Sequence, residues 1–220
     1  CIIPARYGSK RIKHKNIKLF NGKPIISYAI KLAKSSGLFE RIVVSTDSKK
    51  IAKIAKKYGA EAPFLRDKKL SDDYTPTYKV LIDCIEKLKS HKTSYHFCVY
   101  PTSIFVKKKD LKKAFLKIKK TKSNAIITIK KYNSSPLRSL KLKKKNIYYN
   151  FPKYQLTRSQ DLDDLYFDTG LFYIYKTKAL LNVKKNQTLP NKSTYLILDK
   201  PTIDINNYSK LKLAKKIFRS

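Results

Sequence analysis

"IPARYGSKRIKHKNIKLFNGKPI", residues 3–25, begins as a short strand, breaks at a Gly-Ser pair and gathers Arg6, Lys10, Arg11, Lys13, His14, Lys15 and Lys18 around the break. A strand that runs into a glycine-containing basic loop is one way to hold a polyphosphate. The turn exposes backbone N–H groups while the cationic side chains neutralise the oxygens. The stretch is not a Walker loop, which needs G-x-x-x-x-G-K-[ST], nor the G-x-G-x-x-G dinucleotide fingerprint. On charge alone a solvated basic loop fits as well, so the rest of the chain has to decide.

Outward from this loop, short apolar runs rich in β-branched and aromatic residues alternate with helix-length amphipathic segments. That alternation predicts a layered α/β fold with a mostly parallel sheet. Strands are expected at 1–5, 41–45, 95–100, 125–130, 171–175 and 202–205, and helices at 24–36, 49–58, 77–90, 108–119 and 207–218. Ile26, Ala29, Ile30 and Ala33 give the first helix one apolar face, and Gly37 stops it. Residues 137–151 read as short strands with polar turns, which predicts a small β insertion or lid at about 132–167 within a single domain of 220 residues.

The formal charge of +36 would ordinarily suggest nucleic acid or another polyanion as partner. The kind of charge argues otherwise: there are 44 lysines against seven arginines, and the lysines run through nearly every segment. Such a spread, with abundant Asn and Ile, is the mark of AT-rich codons rather than of phosphate recognition, which leans on the planar fork of arginine. No apolar run approaches the length of a membrane span and the opening residues do not resemble a signal peptide, so a cytoplasmic protein without membrane association is expected. A chain that has no methionine and opens inside a strand is also expected to lack a few leading residues. Cys1, Cys84 and Cys98 have no metal-ligand spacing and read as free thiols; His14, His91 and His96 suggest neither a zinc site nor a catalytic dyad.

Residues 4–25 follow the pattern P-A-R-x-G-S-K-R-x-x-x-K-N-[IL] and then G-K-P, which resembles the opening signature of the cytidylyltransferases that activate acidic nine-carbon sugars. The resemblance continues in order through "RIVVSTDS" (41–48), "YGAEAPFLR" (58–66), "LSDDYTPT" (70–77) and "VYPTSIF" (99–105). "RSQDLDDLYFDTGLFYIY" (158–175) is most similar to the pseudaminic acid branch, with neuraminic or legionaminic acid enzymes as the near alternative. Five of the seven arginines, Arg6, Arg11, Arg41, Arg66 and Arg158, fall in these segments. In a chain so biased toward lysine, a retained guanidinium points to bidentate geometry. Arg41, beside a strand, suits a structural ion pair, whereas Arg6, Arg11 and Arg158 suit anions.

The resemblance implies a Rossmann-like three-layer nucleotide-diphospho-sugar transferase fold. It implies attack of a sugar hydroxyl on the α-phosphorus of CTP, with Mg²⁺ as cofactor and a homodimer as the working unit. Carried over residue by residue, it places nucleotide at Ala5, Arg6, Gly8, Ser9, Arg11, Lys15, Asn16, Arg66, Thr77, Tyr100 and Thr102, with Lys15 on the transferring phosphate and Arg6 and Asp204 completing the catalytic set. The sugar falls to Arg158, Ser159, Gln160, Tyr166 and Asp168, although Tyr166 also reads as a core aromatic. The metal falls to an Asp-x-Asp whose counterpart here is "TIDINNYSK": Asp204 is present, but Asn206 replaces the second carboxylate and Lys210 a later acid. Asp47 suits either the cap of the following helix or a nucleotide contact. The alternative of another class is a non-catalytic basic protein binding RNA or another polyanion, which would show steep salt dependence.

Overall fold

In the computed structural model, which describes residues 1–184, 187–199 and 202–219, successive residues of the first strand, β1 (Ile2–Pro4), are buried on opposite faces of a sheet. Ile3 packs with Ile26, Ile30, Ile51 and Leu111, and Ile2 with Leu81, Cys84 and Leu180. Both faces are therefore apolar, and each is covered by helices. On the first lie α1 (Ile25–Ser36), α2 (Lys49–Lys57) and α4 (Lys108–Thr121); on the second lie α3 (Thr77–Lys87) and α5 (Thr177–Leu181). This is the three-layer arrangement that two-sided burial demands.

The sheet has the order β10-β6-β9-β5-β1-β4. Its other strands are β4 (Val43–Ser45), β5 (Tyr95–Val99), β6 (Ala125–Lys131), β9 (Tyr166–Lys176) and β10 (Ser193–Ile197). β1 is parallel to β4 and β5, and β10 to β6, while β9 runs antiparallel to both of its neighbours. The parallel strands β1, β4 and β5 all end on one edge, the place where open α/β sheets bind ligands.

Three expectations are corrected. Residues 202–205 form no strand; Ile203 and Ile205 are instead buried against Ile12, Phe20, Ile25 and Leu211, the last on α6 (Tyr208–Arg219). The edge strand is β10, five residues of Ser193–Ile197 in parallel register with β6. β9 starts at Tyr166 rather than 171, because its first half extends the ladder along β6 beyond a register shift between Ile127 and Ile129. The segment 19–24 also holds an unexpected hairpin, β2 (Leu19–Phe20) and β3 (Lys23–Pro24), closed by Asn21-Gly22 with φ of 44° and 79°. Asn-Gly is the dipeptide such two-residue turns favour.

Within the stretch expected to be inserted, β7 (Leu140–Lys143) and β8 (Asn146–Tyr149) form a separate hairpin, with Leu142 opposite Ile147. Arg41 pairs with Glu61 at 2.6 Å. Cys84 and Cys98 are buried free thiols, and burial pushes the Cys84 thiol up to about 11. No described helix is long and apolar enough to cross a membrane.

Candidate active site

The basic loop after β1 is folded back on itself by its own residues. Ile12 is buried beside Phe20 and Ile205, anchoring the middle of the loop to the core. Asn16, also buried, donates from Nδ2 to the carbonyl oxygen of Arg6 at 2.8 Å, tying the end of the loop to its beginning. The Tyr7 and His14 rings stack with centroids 4.0 Å apart. Asp47 neither caps α2 nor lines the cleft below. Ser48 provides the cap, accepting from the Ile51 N–H, while Asp47 Oδ1 accepts the Tyr7 N–H at 2.8 Å and so braces the loop from the end of β4.

This loop forms one wall of a cleft of about 510 Å³. Arg6, Ser9, Arg11, Lys15 and Asn16 face it from β1's end, Tyr100 and Thr102 from β5's end, and Arg66 and Thr77 from the far wall. Nine of the expected nucleotide residues are thus brought together. Ala5 is buried behind them and Gly8 is exposed outside the cleft, where an added Cβ would meet nothing.

The cations differ in how they are held. Arg66 is 5% exposed; its Nε donates to Ser71 Oγ at 3.1 Å, while its Nη2 is buried without a hydrogen-bond partner among the described residues. Burial lowers its pKa, with Asp47 opposing. Lys15 donates from Nζ to the carbonyl oxygen of Ile205 at 3.1 Å. Burial lowers its pKa too; Asp204 favours its charged form, and Arg11 and Arg6 disfavour it. A buried, under-neutralised guanidinium and a desolvated ammonium on one cleft are anion receptors in search of a counter-charge.

Behind Tyr100 the cleft adjoins a smaller chamber of about 160 Å³, walled by Tyr78, Tyr100, Tyr173, Tyr175 and Leu189, with Thr77 and Asp168 as polar groups. Thr77 Oγ1 and the Tyr100 hydroxyl lie 2.6 Å apart, and the Tyr173 hydroxyl donates to Asp168 Oδ2 at 2.6 Å. The second oxygen of Asp168 accepts the Gly170 N–H at 2.9 Å, a turn for which Gly170 adopts φ of 60°. Burial raises the pKa of both Tyr100 and Tyr173. The cation-lined cleft and the tyrosine chamber share Thr77 and Tyr100 as a common wall.

Residues 1–212 match the cytidylyltransferase family. The chain belongs to that family. It is 39% identical over 222 residues to the pseudaminic acid cytidylyltransferase of Campylobacter jejuni, covering all of this chain and 95% of that protein. It is 30% identical over 222 residues to the CMP-N,N'-diacetyllegionaminic acid synthase of Legionella pneumophila, covering 98% and 94%. Among solved structures it resembles CMP:2-keto-3-deoxy-manno-octonic acid synthetase complexed with CTP, with a TM-score of 0.73 over 99% of this chain and 97% of that one. At 14% identity that likeness concerns the fold, which is the Rossmann-like nucleotidyltransferase fold.

The remaining expected residues are scattered. Of the sugar set, only Asp168 lines the chamber. Arg158 is turned to Asp161 at 2.8 Å, and Ser159 and Gln160 line a different cavity between the β7–β8 hairpin and residues 162–165. Tyr166, 41% exposed, lines neither and is no core aromatic. In the metal set, Asn206 lines the cleft and donates from Nδ2 to Asp204 Oδ2 at 3.0 Å, while Asp204 is exposed beside it. One carboxylate and one amide oxygen are hard donors suited to Mg²⁺ that keeps most of its waters. Among the described residues no group of three or more His, Cys, Asp or Glu side chains could hold a metal.

Three site residues escaped the sequence reading. Lys10 lines the cleft and bonds Asp73 at 2.6 Å. Asp73 also bonds Arg6 at 2.5 Å. Tyr173 joins Asp168 across the chamber. The signal for Asp73 was in the composition: two adjacent aspartates are conspicuous where 15 acids face 51 bases.

Proposed function

We propose that this chain transfers CMP from CTP to the anomeric hydroxyl of pseudaminic acid and releases pyrophosphate. The observation that carries the reading is the shared wall: a cation-lined cleft for a triphosphate and an aromatic chamber for a small organic acceptor meet at Thr77 and Tyr100. The reacting oxygen attacks the α-phosphorus, a new P–O bond forms as the bond to the β-phosphate oxygen breaks, and the hydroxyl proton is lost. Such a transfer needs alignment and charge neutralisation more than covalent help.

Arg6, Arg11 and Lys15 neutralise the phosphates, with the Ser9 and Asn16 side chains orienting them. Arg66 offers its buried Nη2 to the nucleotide half, and Tyr100 and Thr102 mark the floor. Asp168 and Tyr173 receive sugar hydroxyls, and the surrounding rings take its apolar substituents. Asp204 and Asn206 would hold Mg²⁺, which when bound offsets the triphosphate charge. Arg158, Ser159 and Gln160 lie outside this chamber and stay with the acceptor on the resemblance alone. Two copies associate through the exposed β7–β8 hairpin, and the reaction runs in the cytoplasm.

The test is direct. Purified protein with CTP, Mg²⁺ and pseudaminic acid should release pyrophosphate, and ATP or GTP in place of CTP should release far less. Equal turnover with all three nucleotides would overturn the reading.

A further inference from the structure

Among the described residues, Asp72 and Asp73 are the carboxylates that line the cleft, and they are engaged in different ways. Asp72 serves its own turn: Oδ1 accepts the N–H groups of Tyr74 and Thr75 at 2.9 and 2.6 Å. Asp73 serves the opposite wall. One of its oxygens meets Arg6 Nη2 at 2.5 Å and the other meets Lys10 Nζ at 2.6 Å. A carboxylate with one oxygen on each of two cations reproduces the contact that two non-bridging phosphate oxygens would make with the same side chains.

A phosphate placed on Arg6 and Lys10 must therefore displace this carboxylate or sit against it as a like charge. The pair is accessible to exchange: the Asp73 side chain is 26% exposed and Lys10 80%. Arg6 and Lys10 belong to the basic loop, whereas Asp73 lies on the segment between the single turn Lys68–Leu70 and α3. The exchange would thus separate the walls of the cleft that the ion pairs hold together.

We propose that Asp73 is an internal counter-ion that trades places with the phosphates of the ligand. It occupies Arg6 and Lys10 between turnovers, yields them as the triphosphate enters, and by returning to them drives pyrophosphate out. Asp73 is then a positioning residue that weakens product binding rather than one that strengthens substrate binding. A group whose task is to aim Arg6 at the substrate would have the opposite effect when removed.

The inference rests on the proposed function, and calorimetric titration of pyrophosphate and, separately, CTP into the protein tells the two apart. Failure of the unmodified protein to bind either ligand would remove the phosphate reading of the cleft itself. Given that binding, Asp73→Asn should take pyrophosphate at least about fivefold more tightly, since a partly exposed competing ion pair has been removed. Pyrophosphate should inhibit that variant at correspondingly lower concentration. Asp73→Ser should behave in the same way, and Asp72→Asn should lose thermal stability without gaining affinity. In hydrogen exchange, pyrophosphate should loosen the amides of residues 71–75 while protecting those of residues 6–11. Unchanged or weaker pyrophosphate binding in both Asp73 variants, or equal tightening in Asp72→Asn, would overturn the proposal.

Discussion

Lys15 Nζ donates to the carbonyl oxygen of Ile205 at 3.1 Å, joining segments of the chain 190 residues apart. The bond fastens the basic loop to the segment that carries Asp204 and Asn206, so the proposed phosphate-binding and metal-binding halves of the site share one tether. The desolvation that lowers the pKa of Lys15 arises at this junction. It also makes the cation more effective, because its field is less screened by water.

Replacing Lys15 by Ala should lower kcat by about 10²-fold or more, the scale of one lost electrostatic donor. Lys13, exposed and outside the cleft, should tolerate the same change with little effect. In the proposed role Lys15 works as the cation, and its pKa lies below the ordinary 10.5. Activity should therefore decline on the alkaline side before an ordinary lysine would titrate. Equal rates for the two variants in a pyrophosphate-release assay would reduce the loop to a solvated basic surface.

The positions of β1, β4, β5 and β6 along the chain were legible because each is a β-branched or aromatic run between helix-length amphipathic segments, and Ile2, Ile3, Val43 and Val44 are buried as that pattern demands. The cleft residues were legible through the resemblance, whose segments at 4–25, 58–66, 70–77 and 99–105 supply its walls. Residues 202–205 misled: Thr-Ile-Asp-Ile alternates as a strand would, but its two isoleucines point into the cluster under α6 and no neighbouring strand pairs with it. The link between Asp73 and the loop was not legible, since nothing local in "LSDDYTPT" says which distant cation it meets. The same holds for Asp47, whose position just before a helix suggests a cap while its carboxylate bonds a backbone N–H 40 residues away.

The hairpin makes a prediction about assembly. Leu142 and Ile147 are direct cross-strand partners yet 78% and 64% exposed, and Leu140, two residues along on the same face, is also exposed. A contiguous apolar face on a two-stranded ribbon is unstable in water unless something covers it. Sedimentation should show a dimer for the unmodified protein and a monomer for the Leu142→Glu, Ile147→Glu double variant. A dimer that survives both changes would place the interface elsewhere.

His96 should give the fold a dependence on acid. The ring is buried, Nδ1 lies 2.8 Å from Thr177 Oγ1 and Nε2 lies 3.0 Å from Ser90 Oγ, so a neutral imidazole is satisfied by two hydroxyls. Burial pushes its pKa from 6.5 down to about 4. Above the unfolded value both states are neutral and the stability is intact. As pH falls from about 6.5 toward 4, the unfolded chain takes up a proton that the folded one resists, and stability declines by at most about 1.4 kcal/mol per unit. His96→Gln should be less stable at neutral pH and flatter across that window in urea titrations. An identical slope in both proteins would assign the acid sensitivity to other groups.

Asn206 stands where the resemblance expects a second metal-binding carboxylate, and its amide nitrogen is committed to Asp204 Oδ2 at 3.0 Å. The amide oxygen is what it can offer a hydrated cation, without formal charge. Mg²⁺ affinity should accordingly be low, with Asp204 supplying the charged ligand. The basic cleft offsets some of this weakness, because a strongly positive wall raises the local concentration of the Mg·CTP anion. The protein should need high Mg²⁺ for half-maximal pyrophosphate release at saturating CTP. Asn206→Asp should lower that requirement, and Asp204→Asn should nearly abolish turnover. Raising salt should increase the Mg²⁺ requirement of the unmodified protein more than that of Asn206→Asp, since screening weakens the long-range field but leaves a direct carboxylate contact largely intact. An unchanged midpoint in Asn206→Asp together with an active Asp204→Asn would show that the catalytic metal is held elsewhere.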